Sequence, residues 1–283
     1  MCVGNLSIDE TIQDGVRSET SVGGDALYAA LAARLFLKNV RMFAVVGTDF
    51  PGDVLHEIRT AGVRADELPH RDVPTLRYVV RYRADGSRVW EMKTTDEELE
   101  RLSVYPSDVP RSMLAADGVM LAAMSLRSQF ELIKWLREHS STTIYLDLQE
   151  DYIAGNAEAI LQLVESCDVF LPSEVEAVAL AETRDLAEAA RFFASHGPKT
   201  VVIKCAERGC VVFADDVVNH VPVEAVTPTD STGAGDAFCG AFAAVHLITR
   251  DALRAAEAGS RAARLAVEAF GTAGLLAELT VGA

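Results

Sequence analysis

A chain of 283 residues, 49% hydrophobic and 24% charged, can bury a sizeable core as one large domain or one domain with a smaller insertion. Its net charge of −16, without a Lys/Arg cluster, excludes a nucleic-acid backbone as partner. No apolar run approaches a membrane span of roughly 18 to 20 residues, and the start Met1-Cys2-Val3-Gly4 lacks a basic region followed by an apolar one, so the cytoplasm is the expected location. Five scattered cysteines (Cys2, Cys167, Cys205, Cys210, Cys239), mostly in apolar runs, predict reduced buried thiols rather than disulfides or a metal pair.

In chain order, the polar stretch from Asp9 to Val22 is a candidate for short strands, followed by an amphipathic helix over Ala26 to Leu37 and a strand over Arg41 to Val46. The segment Leu76-Arg-Tyr-Val-Val-Arg-Tyr-Arg83, a turn at Ala84-Asp85-Gly86-Ser87, and Arg88-Val-Trp-Glu-Met-Lys93 predict a hairpin. Beyond it, strands over Gly118–Ala122, Thr143–Asp147, Val169–Pro172, Thr200–Lys204 and Cys210–Phe213 alternate with helices over Gln129–His139, Ala157–Cys167, Leu186–His196 and Ala237–Leu247. That alternation is the pattern of an α/β fold with helices packed around a largely parallel sheet. The hairpin and the Asp9–Val22 stretch would form a small separate sheet, a lid. Because lid strands alternate faces, Arg77, Tyr78, Arg81, Arg83, Arg88 and Trp90 are candidates to reach the cleft, and an inward arginine would favour a sugar acid.

The strongest local signal is Thr229-Asp-Ser-Thr-Gly-Ala-Gly-Asp-Ala-Phe238, leading into the apolar-periodic run through Leu247. Gly233 and Gly235 allow positive φ and close approach of a ligand, and the free N–H groups at the helix start suit phosphate oxygens. For an isolated Gly-x-Gly-Asp, the plainer reading of Asp236 is a first-turn acid favoured by the helix dipole. The alternative is a base that accepts the proton of an attacking hydroxyl beside a phosphate cradle. No Gly-Lys-Ser/Thr is present, so this is not a Walker loop, and the loop lacks the third glycine of a dinucleotide fingerprint.

Asp230-Ser-Thr-Gly-Ala-Gly-Asp236 resembles the C-terminal signature of the PfkB sugar and nucleoside kinases, Asp-Thr-x-Gly-Ala-Gly-Asp, with Ser231 in place of Thr. Further pieces follow in that family's order: Gly4-Asn-Leu-Ser-Ile-Asp9, Gly23-Gly24 before a helix, Val45-Val-Gly-Thr-Asp49-x-x-Gly52, and Ile203-Lys-Cys205-x-x-x-Gly209. The resemblance implies one ribokinase-like domain over residues 1–283, three-layered α/β/α with a mostly parallel central sheet and a small β lid from about 10–22 and 73–95. It implies ATP-dependent phosphorylation of a hydroxyl on a sugar, sugar acid or nucleoside, with Asp236 as base and Gly233, Ala234 and Gly235 stabilising the transferred group.

By the same resemblance, Asp9 binds substrate hydroxyls, Gly23-Gly24 lets substrate approach the backbone, and Tyr28, where relatives often carry Asn, alters the pocket. Asp25 reads as a second polyol contact or as a helix N-cap. Lys204, Gly209, Thr232, Gly233, Gly235 and the Gly271 turn border the nucleotide. Glu176 organises Mg²⁺ through water, although Ser173 replaces the family's Asn, and Asp230 with Gly271 marks a place where relatives bind a monovalent cation such as K⁺. The altered Ser173 keeps open a non-catalytic small-molecule binder as the rival reading. The first strand is shorter than in relatives, consistent with a start upstream of Met1 or a trimmed strand, and an exposed lid edge favours a homodimer through the lid.

Overall fold

The computed structural model describes residues 1–13, 16–82 and 88–281; the hairpin turn Ala84–Ser87 and Arg83 lie outside the described residues, as do the side chains of Arg88 and Trp90. The strands, in chain order, are β1 (Cys2–Val3), β2 (Ser7–Gln13), β3 (Val16–Gly23), β4 (Val40–Phe43), β5 (Val63–Arg64), β6 (Leu76–Tyr82), β7 (Arg88–Met92), β8 (Gly118–Leu121), β9 (Thr143–Leu146), β10 (Val169–Phe170), β11 (Thr200–Lys204), β12 (Cys210–Ala214) and β13 (Val217–Val221). Among the described residues they form a nine-stranded sheet in the order β13-β12-β11-β10-β9-β8-β1-β4-β5 and a four-stranded sheet in the order β3-β2-β6-β7.

From β11 to β5 every neighbouring pair is parallel, and β12 alone is reversed, pairing antiparallel with β11 on one side and β13 on the other. Parallel strands need both faces covered, and successive side chains serve opposite sides. Met42 and Met120 join Leu27, Leu31 and Phe242 on one face, whereas Phe43, Val119 and Leu121 join Leu132, Phe170 and Phe193 on the other. The result is the three-layered α/β arrangement expected from the alternating pattern.

The hairpin forms as predicted from Leu76–Tyr82 and Arg88–Met92, and the Asp9–Val22 stretch supplies β2 and β3 of the same small sheet. A register shift between Glu10 and Ile12 bends β2 where it leaves the main body. At the base of this sheet Asp49 accepts the Thr75 N–H at 2.7 Å and pairs with Arg77.

One face of the main sheet carries the helix Asp25–Arg34, buried from Ala26 through Ala33 and sandwiched against the helix Ala234–Thr249. Small residues permit this contact: a methyl on Gly240 would lie 2.0 Å from the Ala29 carbonyl oxygen. Gly240→Val is therefore expected to wedge apart two helices that both begin at the functional site, costing about 3 kcal/mol or more by overpacking. A thermal melt checks it; an unchanged Tm would contradict the close crossing.

The five cysteines are free and buried, as predicted. No helix among the described residues is long and apolar enough to cross a membrane.

Candidate active site

In a parallel sheet the loops leaving the carboxyl ends of the strands gather at one edge. Here that edge collects Asn5 after β1, Asp147 after β9, the Ser173–Glu176 turn after β10 and Lys204 at the end of β11. The helix Ala234–Thr249 starts against the same edge. Gly233 is its N-cap in the left-handed region (φ 71°), and Ala234, Gly235 and Asp236 form the first turn with their N–H groups free of helical partners.

Gly235, expected to take positive φ, is instead helical; its contribution is open space, since among the described residues outside its own helix backbone a methyl there would meet Lys204 Nζ at 3.7 Å. Gly233 has a steric reason of its own. A methyl on it would lie 2.3 Å from the Tyr28 ring. Tyr28 is 1% exposed and its ring packs beneath the loop against Gly233.

Asp236 is half-buried on this turn. Burial, and then the neighbouring Asp147, push its carboxyl up to about 7, with Lys204 pulling the other way. Glu176 is raised to about 7 by burial and by Asp147. Asp25 is raised well above its ordinary value by burial and then by Asp236, Asp147 and Asp9. It occupies the first helical turn and Gly24 is the N-cap, which removes the capping alternative and leaves Asp25 among the cleft carboxylates.

Asp147 was not singled out from the sequence, although it ends one of the predicted strands. It is 5% exposed and takes four donors: Leu148 N–H at 3.0 Å and Lys204 Nζ at 2.8 Å on Oδ1, Lys204 Nζ at 2.7 Å and Cys239 Sγ at 3.2 Å on Oδ2. Burial works to strip the Lys204 proton, but Asp147, Cys239 and Glu176 outweigh it and hold the ammonium charged.

Asp9, on β2, is 6% exposed and raised to about 6, by burial first, against a hydrogen bond from Ser7 and with the Asp230 charge adding to the rise. Asp9 Oδ1 and Asn5 Oδ1 are buried acceptors with no partner. Such atoms are costly unless a donor arrives, and ligand hydroxyls are donors of that kind. The adjoining glycines also have a steric reason within the chain itself. A methyl on Gly23 would stand 2.2 Å from Asp9 Oδ2, and one on Gly24 (φ 109°) would stand 2.5 Å from the Asn5 carbonyl oxygen. The chain itself fills the space the glycines free, and in doing so aims Asp9.

Among the described lid residues, Arg77 and Arg81 are paired with lid and loop carboxylates. On β6 the alternation sets Arg77 and Arg81 on one face, where they pair with Asp49 and Glu91. Tyr78 faces the other way, its hydroxyl held above its ordinary range by burial and by the charge of Asp25. Tyr152, in the turn after β9, is raised by burial and Asp25 as well, and its hydroxyl is buried without a partner. Tyr78, a candidate from the lid alternation, and Tyr152, which the sequence did not single out, thus both lie near Asp25.

The remaining expected residues fall on the loops around this cluster. Asp230 accepts the Thr232 N–H at 2.9 Å and the Gly271 N–H at 3.2 Å, so it braces the loop against the Gly271 turn. Gly209 (φ 86°) lies against the end of β13, where a methyl would meet the Val221 carbonyl oxygen at 2.0 Å; the Lys204–Gly209 loop closes through Cys205 N–H to the Gly209 oxygen at 2.8 Å. Glu176 is N3 of a capping box, its Oε2 accepting the Ser173 N–H at 2.7 Å. Ser173 is therefore a competent helix cap where the family motif has Asn. A nucleoside triphosphate fits the open loop, with free N–H groups beside an ammonium. A divalent cation fits the excess of carboxylates at this edge, although among the described residues no three acidic, His or Cys side chains form a group that could hold one by themselves.

Comparison with known proteins places this geometry in context. A family model described as pfkB family carbohydrate kinase matches residues 2–278. The chain is 26% identical over 276 residues to a cytidine kinase of Thermococcus kodakarensis, covering 95% of this chain and 96% of that one. It is 29% identical over 264 residues to a ribokinase of Staphylococcus aureus, covering 88% and 83%. Among solved structures, the adenosine kinase from Sinorhizobium meliloti superposes with a TM-score of 0.82 at 19% identity, covering 100% and 98% of the two chains. A putative ribokinase II from E. coli in complex with ATP and Mg²⁺ superposes with a TM-score of 0.79 at 21% identity, covering 99% and 97%.

Proposed function

This chain belongs to the pfkB family of carbohydrate kinases, and from that membership and the geometry around Asp236 we propose that it transfers the γ-phosphoryl group of ATP to a primary hydroxyl of a sugar ring, free or carried in a nucleoside. The observation that carries the reading is Asp236 in the first turn of a helix whose N–H groups stand open beside the Lys204 ammonium. A carboxylate raised to about 7 is well matched to accept a hydroxyl proton near neutral pH.

In the proposed step Asp236 takes the acceptor's proton as the acceptor oxygen bonds to the γ-phosphorus, and the bond from that phosphorus to the bridging oxygen breaks to release ADP. The N–H groups of Ala234 and Gly235 stabilise charge on the transferred oxygens. Glu176 would hold Mg²⁺ through water, and the ion would supply charge neutralisation on the nucleotide phosphates. Asp9 and Asn5, through their unpartnered buried oxygens, bind acceptor hydroxyls, and Asp25 extends the same face. Thr232 and the Gly271 turn border the nucleotide.

Two observations shift the acceptor from a sugar acid toward a nucleoside. Arg77 and Arg81 are committed to Asp49 and Glu91, so neither offers its charge to a substrate carboxylate. Tyr78 and Tyr152 stand beside Asp25 as flat, partly buried surfaces on which a base can stack, and the Tyr152 hydroxyl has hydrogen-bonding capacity to spare. Coupling ADP release to a panel of pentoses, sugar acids and nucleosides tests the proposal: the highest kcat/KM is expected with a nucleoside. A sugar acid as best substrate would reverse the choice of acceptor, and absence of ADP formation with every compound, despite ligand binding, would leave only a binding protein.

A further inference from the structure

The pair formed by Asp147 and Lys204 has no evident duty in holding the sheet. β10 lies between the strands that carry them, and both side chains reach past the strand ends to meet at the carboxyl edge. Their side chains are 7% and 14% exposed. An ion pair so buried loses more in desolvation than its attraction returns compared with well-packed apolar residues, so adhesion alone does not account for it.

Its geometry points instead to the loop. Two of the three Lys204 protons are directed to Asp147, and the ammonium's other polar neighbour is Cys239 Sγ at 3.3 Å. A thiol sulfur is a weak acceptor, and a phosphoryl oxygen would replace it with a charge-assisted bond. Among the described residues outside the loop's own helix backbone, Nζ is the group within 4 Å of a methyl built on Gly235, so it borders the open side of the loop beside the free N–H groups. Asp25 from the helix Asp25–Arg34, Glu176 after β10 and Asp236 on the loop's own helix surround it with Asp147, and Lys204 is the cation opposing the other charges at all three. Asp147, saturated by four donors, has little freedom to move.

Resting on the kinase reading above, we propose that Asp147 is a positioning residue that holds the Lys204 ammonium at the mouth of the Gly233–Asp236 loop, where Lys204 meets the transferred phosphoryl group. A mobile lysine would be neutralised variably by the surrounding carboxylates; one clamped on both Asp147 oxygens is preorganised for charge that develops in the transition state.

The test compares MgADP with MgADP–beryllium fluoride, a mimic of the γ-phosphoryl group, by titration calorimetry on wild type and Lys204→Met. The variant is expected to bind MgADP within threefold of wild type and to lose about tenfold or more of the added affinity for the fluoride complex. Its kcat should fall about 100-fold or more with the acceptor KM within about threefold. The acid limb of kcat/KM should move to higher pH in Lys204→Met and to lower pH in Asp147→Asn, since the first removes a cation and the second an anion beside Asp236. If Lys204→Met does not fold, the double variant Asp147→Asn/Lys204→Met, which leaves no unpaired buried charge, reads out the same loss. A double variant that melts and turns over like wild type, or a Lys204→Met protein that keeps its preference for the fluoride complex, overturns the proposal. A wild type inactive on every acceptor would instead defeat the kinase reading, and the binding comparison would still decide the role of Lys204.

Discussion

Asp236→Asn is expected to lower kcat by about 1,000-fold while leaving MgATP affinity within a few-fold of wild type, because it removes the proton acceptor and keeps the size of the side chain. In wild type, kcat/KM should fall as pH drops through about 7, where the carboxylate takes up a proton. The same substitution should raise stability at alkaline pH. The folded-state value of Asp236 lies above the ordinary 3.8, so its contribution to stability is fully present below about pH 4 and is lost as pH rises through about 7. An asparagine does not ionise and escapes that loss. Asp236→Asn should therefore melt above wild type by roughly 2 to 5 °C at pH 8 and converge with it near pH 4. Calorimetric melts at the two pH values, with single-turnover kinetics, measure both effects; a variant that retains near-normal turnover would remove Asp236 as the base.

Asp9→Ala should raise the acceptor KM about 100-fold or more. Each hydrogen bond to an ionised carboxylate contributes about 1.5–3 kcal/mol, and a polyol can give Asp9 two. The structure adds a second route to the same defect: Gly23→Ala would set a methyl 2.2 Å from Asp9 Oδ2 and 3.2 Å from Ser7 Oγ, forcing the carboxylate out of line. Both variants should retain MgATP binding, because neither touches the loop that starts at Gly233. Steady-state kinetics with the best acceptor decide the matter, and an Asp9→Ala enzyme with KM within threefold of wild type would take Asp9 out of the acceptor site.

Most strands of the main sheet were legible because they are short apolar runs bounded by polar turns, although the two-residue β5 was not predicted; β8, β9, β11 and β12 lie within a residue of the predicted bounds at every end. The lid hairpin was legible from alternation around Asp-Gly. Less was visible where packing outweighs local pattern. Val217–Val221 was not predicted and exists as a half-exposed edge strand paired to β12. The helix Asp25–Arg34 has apolar residues on all sides, because it is enclosed between sheet and helices rather than lying at the surface. Tyr28 illustrates the limit most clearly. Its number along the helix marked it as a neighbour of Gly24, yet its ring meets Gly233, about two hundred residues away in the chain.

By itself the sequence determined the alternating architecture, the lid and the loop ending in Asp236, since periodicity, turn residues and a glycine-rich helix start are local properties of a chain. The tertiary structure decided which charges share the cleft. Asp147 and Lys204 are 57 residues apart and meet because β10 separates their strands by one place in the sheet. Whether a lid arginine or a lid tyrosine faces the carboxylates follows from the register of β6 against β2 and β7. The rise of the Asp236 carboxyl toward about 7, on which its proposed role as a base rests, comes from burial and then from the neighbouring Asp147. Burial, strand order and register are relations between distant segments, and they take definite values only once the chain has folded.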